Sequence, residues 1–160
     1  PSAFRYPRGP GIGIDINKSI KKITIGKGRI IQEGNDIALL SYGTRLNEVK
    51  LASKILETHK ISSTIADARF CKPLDKKLVL DLCRNHRLLI TIEEGSIGGF
   101  GSHVTQFLLE KGIFDKGLKF SSMVLPDIFI DQATPEQMYT AAGMNASHIK
   151  DKLLSLLEIL

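Results

Sequence analysis

The sequence predicts an α/β fold of three layers (α/β/α), in which helices cover both faces of a mostly parallel five-stranded sheet. Its apolar runs, such as residues 37–40 and 88–92, are continuous, which is typical of strands buried on both faces. Between them, apolar residues recur at helical spacing, and helices supply the crossovers that parallel strands require. With 160 residues, the chain is long enough for one substantial core and short for two ordinary domains.

The first part of the chain differs from the rest. Residues 1–22 contain the run Pro7-Arg8-Gly9-Pro10, which cannot continue a helix and indicates a linker or arm. The domain itself is expected over residues 23–160. It opens with apolar residues 23–25 and 29–31 on either side of a glycine turn. That pattern indicates either a strand pair or one bulged strand at an edge of the sheet.

Strand and helix patterns alternate after residue 37. Polar residues at the start of two helical stretches, Thr44 and Asp75, are the expected N-caps. A third helix is expected after the loop 93–101. Two more are expected near the end, one after Thr134 and one capped near Ser147. The predicted strands in this part of the chain are residues 37–40, 63–66, 88–92 and 120–125.

Charge and composition exclude some classes of protein. The formal net charge is +5, but the basic residues are dispersed, and 7 Phe and 3 Tyr without Trp offer few stacking surfaces for nucleic acid. A small phosphorylated metabolite or a solvated face suits the charge equally well. Cys71 and Cys83 form no C-x-x-C pair and are interpreted as buried thiols in a reducing compartment. No apolar run approaches the length of about 20 residues that spans a membrane, so no membrane partner is expected.

Several polar residues follow the predicted strands. Ligands of parallel sheets gather at the carboxyl ends of the strands, but glycine, aspartate and proline are also common there because the chain must turn. The sequence therefore predicts one edge of the sheet that carries most of the candidate residues. These segments are Tyr42-Gly43-Thr44, Asp67-Ala68-Arg69, Glu93-Glu94 and Leu125-Pro126-Asp127.

The glycine loop that contains Gly98, Gly99 and Gly101 lacks the G-x-G-x-x-G spacing of a dinucleotide site. Acidic residues precede it, so close backbone packing or a subunit contact is favoured over anion binding. Glu93 and Glu94 are adjacent and should point to opposite faces of a strand, which excludes an acid–base pair. One of them is expected to accept hydrogen bonds from the loop backbone or to pair with a neighbouring domain.

No catalytic residue is predicted in this chain. His103 follows the glycine loop, but a hydrogen-bonded or solvated histidine is favoured over a catalytic one, and no nucleophile elbow accompanies it. Arg8 differs because Pro7 stiffens the backbone before it and Gly9 permits close approach after it. Its planar guanidinium suits a phosphate ester. From the residues alone, however, solvent-exposed cations of a flexible arm are slightly favoured for Arg5 and Arg8.

Taken together, five segments resemble the deoxyxylulose-phosphate synthase family, which is related to the transketolases. The resemblance covers the chain from Ser2 onward and keeps the order and the intervals of the segments. Transketolases and oxoacid dehydrogenase E1 subunits share the implied fold without this combination. The segments are residues 5–9 (RYPRG), 25–28 (IGKG), 67–75 (DARFCKPLD), 93–103 (EEGSIGGFGSH) and 125–127 (LPD).

The resemblance implies the C-terminal domain of a homodimeric enzyme that condenses pyruvate with D-glyceraldehyde 3-phosphate, giving 1-deoxy-D-xylulose 5-phosphate and CO₂. That product leads to isoprenoids by the non-mevalonate pathway, and to thiamine and pyridoxal. The fold implied is that of the transketolase C-terminal domain. The expected location is the bacterial cytoplasm, or the plastid stroma in a eukaryote.

In that family thiamine diphosphate and Mg²⁺ lie between the two preceding domains, and this chain lacks the Gly-Asp-Gly metal motif. The fragment alone is therefore expected to bind neither cofactor nor metal and to be inactive. Residues 1–22 are implied to be the end of the pyrimidine-binding domain with a linker arm. Arg8 matches the family's anchor for the phosphate of the aldehyde substrate.

Two alternatives remain open from the sequence. One is the C-terminal domain of another thiamine-diphosphate enzyme, either a transketolase or an oxoacid dehydrogenase E1 subunit. The other is a stand-alone module that binds a phosphorylated ligand.

Overall fold

The computed structural model describes residues 22–158, and the five strands in that range form a single sheet. The predicted arm of residues 1–22 falls outside this range apart from Lys22, and Arg8 is therefore not described. The strands are β1 (Arg29–Gln32), β2 (Ile37–Tyr42), β3 (Ser63–Asp67), β4 (Leu88–Glu93) and β5 (Lys119–Met123). The helices are α1 (Leu46–Thr58), α2 (Lys76–Asn85), α3 (Phe100–Glu110), α4 (Pro135–Ala141) and α5 (Ala146–Leu157), with 3₁₀ turns at Gly43–Arg45 and Phe114–Lys116.

The strand order is β1-β3-β2-β4-β5. β1 runs antiparallel to β3, whereas the pairs β2–β3, β2–β4 and β4–β5 are all parallel. The prediction of a mostly parallel five-stranded sheet with the first strand at an edge is confirmed. The register of β1 shifts between Ile30 and Gln32, which confirms the bulged-strand alternative. Residues 23–25 form no strand, so the strand-pair alternative is wrong.

Helices cover both faces of the sheet because successive side chains of each strand point to opposite sides. In β2, Ile37 and Leu39 pack in a core with α1 and α5, whereas Ala38 and Leu40 pack in a second core with α2 and α3. All four side chains are fully buried, and burial of each large one contributes about 1.5 to 3 kcal/mol. This arrangement confirms the predicted three layers.

The first residues of two helices, α1 and α2, can be compared with the predicted N-caps. Asp75 caps α2 as predicted, since its carboxylate accepts a hydrogen bond from the backbone N–H of Leu78 at 3.1 Å. The prediction of Thr44 as the cap of α1 is wrong. Gly43, with φ of +81°, begins a 3₁₀ turn after β2, and α1 begins only at Leu46.

Two other boundaries near the end of the chain can be compared with the prediction. α5 begins at Ala146, close to the predicted cap at Ser147. β5 ends at Met123 and not at Leu125. Within residues 22–158, no helix combines the length and the apolar character that crossing a membrane requires.

Candidate functional site

The carboxyl ends of the parallel strands meet at one edge of the sheet, which we call the rim (residues 42–45, 67–75, 93–101 and 124–131). The strand register brings its acidic residues together, because Ser41 lies beside Asp67 on β3 and Tyr42 lies beside Glu93 on β4. The predicted rim residues therefore share one edge, as expected for parallel strands. Arg8, the predicted phosphate anchor, is outside the described residues.

Glu93 is the most buried acidic residue of the rim, with 4% of its surface exposed. Its carboxylate accepts hydrogen bonds from the backbone N–H groups of Phe100, at 3.0 Å, and Gly101, at 2.8 Å. These amides belong to the first turn of α3, where a helix attracts negative charge. The protein's own carboxylate thus occupies the position that an external anion would take. This agrees with the prediction that one of the two glutamates binds the loop backbone.

Close approach explains three of the four glycines between residues 95 and 101, whereas Gly98 has open space around it and a positive φ of +98°. A Cβ atom at Gly95 or at Gly99 would lie 2.5 or 2.6 Å from Oε2 of Glu93. At Gly101 it would lie 1.9 Å from the hydroxyl oxygen of Ser122 on the neighbouring strand β5. These distances are below the closest approach of real side-chain atoms. The loop is therefore built of glycine for close backbone packing, the interpretation favoured from the sequence.

Glu94 points away from Glu93 and belongs to a second cluster. Its carboxylate accepts a hydrogen bond of 2.5 Å from the hydroxyl of Thr44. The guanidinium of Arg45 lies 3.5 Å from the centre of the Tyr139 ring on α4. Burial raises the pKa of Tyr139, and the adjacent Glu94 carboxylate raises it further. The cluster joins the end of β4 to the turn before α1 and to α4, and the two glutamates form no acid–base pair.

Tyr42 and Cys71 lie beside Glu93 but are not activated by it. The Tyr42 ring stacks on Phe100 with 5.0 Å between the ring centres. Burial raises the pKa of Tyr42, and the charges of Cys71 and Glu93 raise it further. Burial also raises the pKa of Cys71, Glu93 adds to this effect, and Lys72 partly offsets it. Both groups stay protonated at neutral pH, so neither is an activated nucleophile.

Asp67, at the end of β3, is engaged by two arginines. Its carboxylate lies 3.0 Å from Nε of Arg29 and 3.7 Å from Nε of Arg69, and it accepts the backbone N–H of Arg69. Arg69 adopts a positive φ of +58° beside it. This carboxylate therefore ties the edge strand β1 to the rim.

The rim exposes three large apolar side chains among polar ones. Ile97 in the glycine loop is 84% exposed, Ile128 after β5 is 64% exposed, and the neighbouring Phe129 is fully exposed. The backbone N–H of Leu125 donates to the carbonyl of Gly95 at 2.8 Å, which links the two loops. Large apolar side chains exposed together mark a surface that contacts another protein segment.

Some rim residues were missed by the sequence analysis. Tyr139 and Arg45 were assigned no role, because their contact joins helices far apart in the chain. The bond between Thr44 and Glu94 spans 50 residues of sequence. Only the parallel order of β2 and β4 brings these residues together, and no local pattern signals it.

Comparison with known proteins gives a family match and a structural neighbour. The family described as transketolase, C-terminal domain, matches residues 26–149. A solved structure described as a split-gene transketolase, in an inactive β4 tetramer, superposes with a TM-score of 0.77 and 25% sequence identity. The superposition covers 86% of this chain and 44% of that one. The chain thus matches less than half the length of this neighbour.

Proposed function

The chain belongs to the transketolase C-terminal domain family, and from that premise we propose a specific member: a thiamine-diphosphate-dependent 1-deoxy-D-xylulose 5-phosphate synthase. In this proposal the whole enzyme condenses pyruvate with D-glyceraldehyde 3-phosphate and releases CO₂. The present chain supplies its C-terminal domain. The domain packs against the preceding domains or a partner subunit and holds no catalytic group.

The main support for this proposal is that the acidic residue Glu93 of the rim is engaged within the domain. Glu93 is buried and binds the amides of α3, so it is a structural group and not a base exposed to substrate. Beyond it the rim presents Ile97 and Phe129 to solvent. An edge with satisfied polar groups and exposed apolar side chains is suited to docking another protein surface.

The identity of the synthase rests on the segments that build this edge. Residues 67–75 and 93–103, the two longest segments of the resemblance, both lie at the rim. The first contributes Asp67 and the cap Asp75, and the second contributes Glu93 and its glycine loop. These two segments thus lie at the proposed docking surface, to which Phe129 contributes from outside the segments.

The described residues do not fit the cofactor itself. The first turn of α3 is one place at the rim where a diphosphate could bind backbone amides, and Glu93 fills it. In the part of the chain that the structure covers, no three His, Cys, Asp or Glu side chains are grouped to hold a metal ion. We therefore assign thiamine diphosphate and Mg²⁺ to the preceding domains, and no reaction step to this chain.

Arg8 is proposed to bind the phosphate of the aldehyde substrate. A guanidinium forms paired hydrogen bonds to phosphate oxygens, and binding the unreactive phosphate orients the aldehyde carbon for attack. The support is the sequence context of Arg8 between Pro7 and Gly9 and its place in the segment RYPRG.

Product analysis of the whole enzyme tests the proposed reaction. The chain, joined to its preceding domains, is incubated with pyruvate, D-glyceraldehyde 3-phosphate, thiamine diphosphate and Mg²⁺. We expect CO₂ and the deoxy sugar phosphate in equal amounts. A transketolase is the second candidate, because the structural neighbour is one. Transfer of a two-carbon ketol group from a ketose phosphate, without CO₂, would favour it over the synthase.

Substitution of Arg8 tests its role separately. In the whole enzyme, Arg8→Ala should lower kcat/KM for glyceraldehyde 3-phosphate, because a charge-assisted contact is lost. The loss should correspond to a rise of about 2 to 4 kcal/mol in the free energy of the transition state. Arg5→Ala is the matched control, since it removes the same charge from the same segment. Equal effects of the two substitutions, or no effect of Arg8→Ala, would refute the assignment.

A further inference from the structure

A cleft opens at the edge of the sheet opposite to the rim, where β2, β3, β4 and β5 begin. We call it the basal cleft. Its volume is about 640 Å³, within the range of pockets that hold small molecules. The proposed docking and catalysis make no use of this end of the domain.

The basal cleft is strongly basic. Four cationic side chains line it, whereas Asp36 is the one carboxylate among its lining residues. The carboxylate of Asp36 is already bound, at 2.6 Å, by the backbone N–H of Ser62. Three of the four cations lie on three different connections between elements, α1 to β3, α2 to β4 and α3 to β5, whereas the fourth lies in the last turn of α2. They are Lys60, Arg84, Arg87 and Lys116.

The protein's own carboxylates engage these cations little. Arg84 lies 3.5 Å from a carboxylate oxygen of Asp81, at the solvent-exposed end of α2. Within residues 22–158, none of the ion pairs involves Lys60, Arg87 or Lys116. Their charge is therefore open to a solute.

The helix ends around the cleft have other hydrogen-bond donors. The backbone N–H groups of Ile61 and Ile113 donate to carbonyls in the last turns of α1 and α3, each at 3.1 Å. Nδ1 of His86 lies 2.9 Å from a carbonyl of α2, and Nζ of Lys119 donates to a carbonyl of α5 at 2.8 Å. At least one carbonyl in the last turn of each of these helices is thus already paired without the four cations.

Apolar side chains lie deeper in the cleft than the cations. Ile113 and Cys83 are buried, and Ile61, Leu118 and Leu157 are half-buried, whereas all four cations are exposed. Burial raises the pKa of the Cys83 thiol to about 11, as expected for a group shielded from water. The cleft therefore combines an apolar interior with a basic mouth.

From this arrangement we propose that the basal cleft binds a small organic diphosphate of the nucleoside diphosphate class. Cations on three separate connections suit more than one phosphate group, and the apolar interior suits a neutral ring. Thiamine diphosphate is disfavoured, because the apolar interior would bury the positive charge of its thiazolium ring. The site is independent of the proposed reaction, since it lies at the other end of the sheet.

Calorimetric titration of the chain with ADP tests the proposal. We expect a dissociation constant below about 1 mM, weaker binding of pyrophosphate because it lacks the ring, and weaker binding of adenosine because it lacks the charge. The double reversal Arg87→Glu/Lys116→Glu should weaken ADP binding at least about tenfold, since charge-assisted contacts become repulsive.

The matched control is Lys50→Glu/Lys152→Glu, which changes the net charge equally at exposed positions that do not line the cleft. It should alter ADP affinity less than about twofold, because exposed charges far from the site are screened. The milder pair Arg87→Gln/Lys116→Gln keeps the test valid if the reversal disturbs folding, and it should also weaken binding.

Three results would overturn the proposal. The first is the absence of ADP binding at concentrations of about 1 mM, and the second is equal loss of affinity in the control variant. The third is pyrophosphate binding as tight as ADP binding, which would show that the apolar interior plays no part. Binding of a single-stranded oligonucleotide without binding of ADP counts as the first result.

Discussion

The two ends of the sheet use their charged residues in opposite ways. At the rim, Glu93 binds backbone amides, Glu94 binds Thr44, and Asp67 contacts two arginines. At the basal cleft, three of the four lining cations have no ion pair within residues 22–158. Charges that the protein satisfies itself stabilise the fold, whereas charges left open can bind a solute. The difference teaches that polar residues at strand ends do not by themselves mark the binding end of a parallel sheet.

The two ends of the sheet should also differ in their contribution to stability. Removing Glu93 from the rim should lower the free energy of unfolding, because the backbone N–H groups that it binds are buried. Removing a cation from the basal cleft should change the free energy of unfolding little.

Glu93→Ala should destabilise the domain by about 4 kcal/mol, because two buried N–H groups at the start of α3 lose their acceptor. Urea unfolding followed by circular dichroism measures the change. Glu94→Ala is the control on the adjacent, exposed position and should cost about 1 kcal/mol or less. Equal losses in the two variants would contradict the structural role of Glu93.

Gly99→Ala should cost about 2 kcal/mol, because the added methyl group would lie 2.6 Å from a carboxylate oxygen of Glu93. The double variant Glu93→Ala/Gly99→Ala sharpens this prediction. Its loss should be smaller than the sum of the two single losses, since removal of the carboxylate also removes the clash. Additive losses would show that the glycine is required for another reason.

The Cys83 thiol should make stability fall at alkaline pH. Its pKa rises from 9.0 to about 11 on folding, so the unfolded chain loses this proton first as the pH increases. The stabilising contribution is complete below pH 9 and is lost as the pH passes through 11. Between pH 9 and pH 11, the free energy of unfolding should decline less steeply for Cys83→Ala than for the unsubstituted chain. Cys71→Ala should flatten the decline less, because its thiol is half-buried and not buried as the sequence predicted.

Arg87→Ala should change the free energy of unfolding by less than about 0.5 kcal/mol, because its exposed side chain has no ion pair within residues 22–158. Urea unfolding followed by circular dichroism measures this change in the free energy of unfolding. A loss comparable with that of Glu93→Ala would remove the difference between the two ends of the sheet.

The sequence predicts the architecture well because burial on both faces leaves continuous apolar strands. Adjacency alone also predicts that Glu93 and Glu94 point to opposite sides, and the structure shows this. The predicted N-cap of α1, Thr44, was wrong because Gly43, with its positive φ, begins a 3₁₀ turn that the spacing of apolar residues does not reveal. Local capping signals such as Asp75 were correct where the helix followed the polar residue directly.

The basal cleft shows what the sequence does not reveal. Its cations at positions 60, 84, 87 and 116 look dispersed along the chain, and dispersal of basic residues was one reason to disfavour a nucleic-acid partner. Parallel topology places the connections before β3, β4 and β5 at the same end of the sheet, so charges distant in sequence converge. The rim cluster of Glu94, Thr44 and Tyr139 escaped notice for the same reason. Contacts between connections depend on strand order, which periodicity does not encode.

Release of CO₂ from pyruvate is the most direct measure of the central claim that this chain docks and does not catalyse. The chain is assayed with pyruvate, D-glyceraldehyde 3-phosphate, thiamine diphosphate and Mg²⁺, first alone and then joined to its preceding domains. The account predicts no CO₂ above background from the chain alone and steady release from the joined protein. Turnover of pyruvate by the chain alone would contradict it.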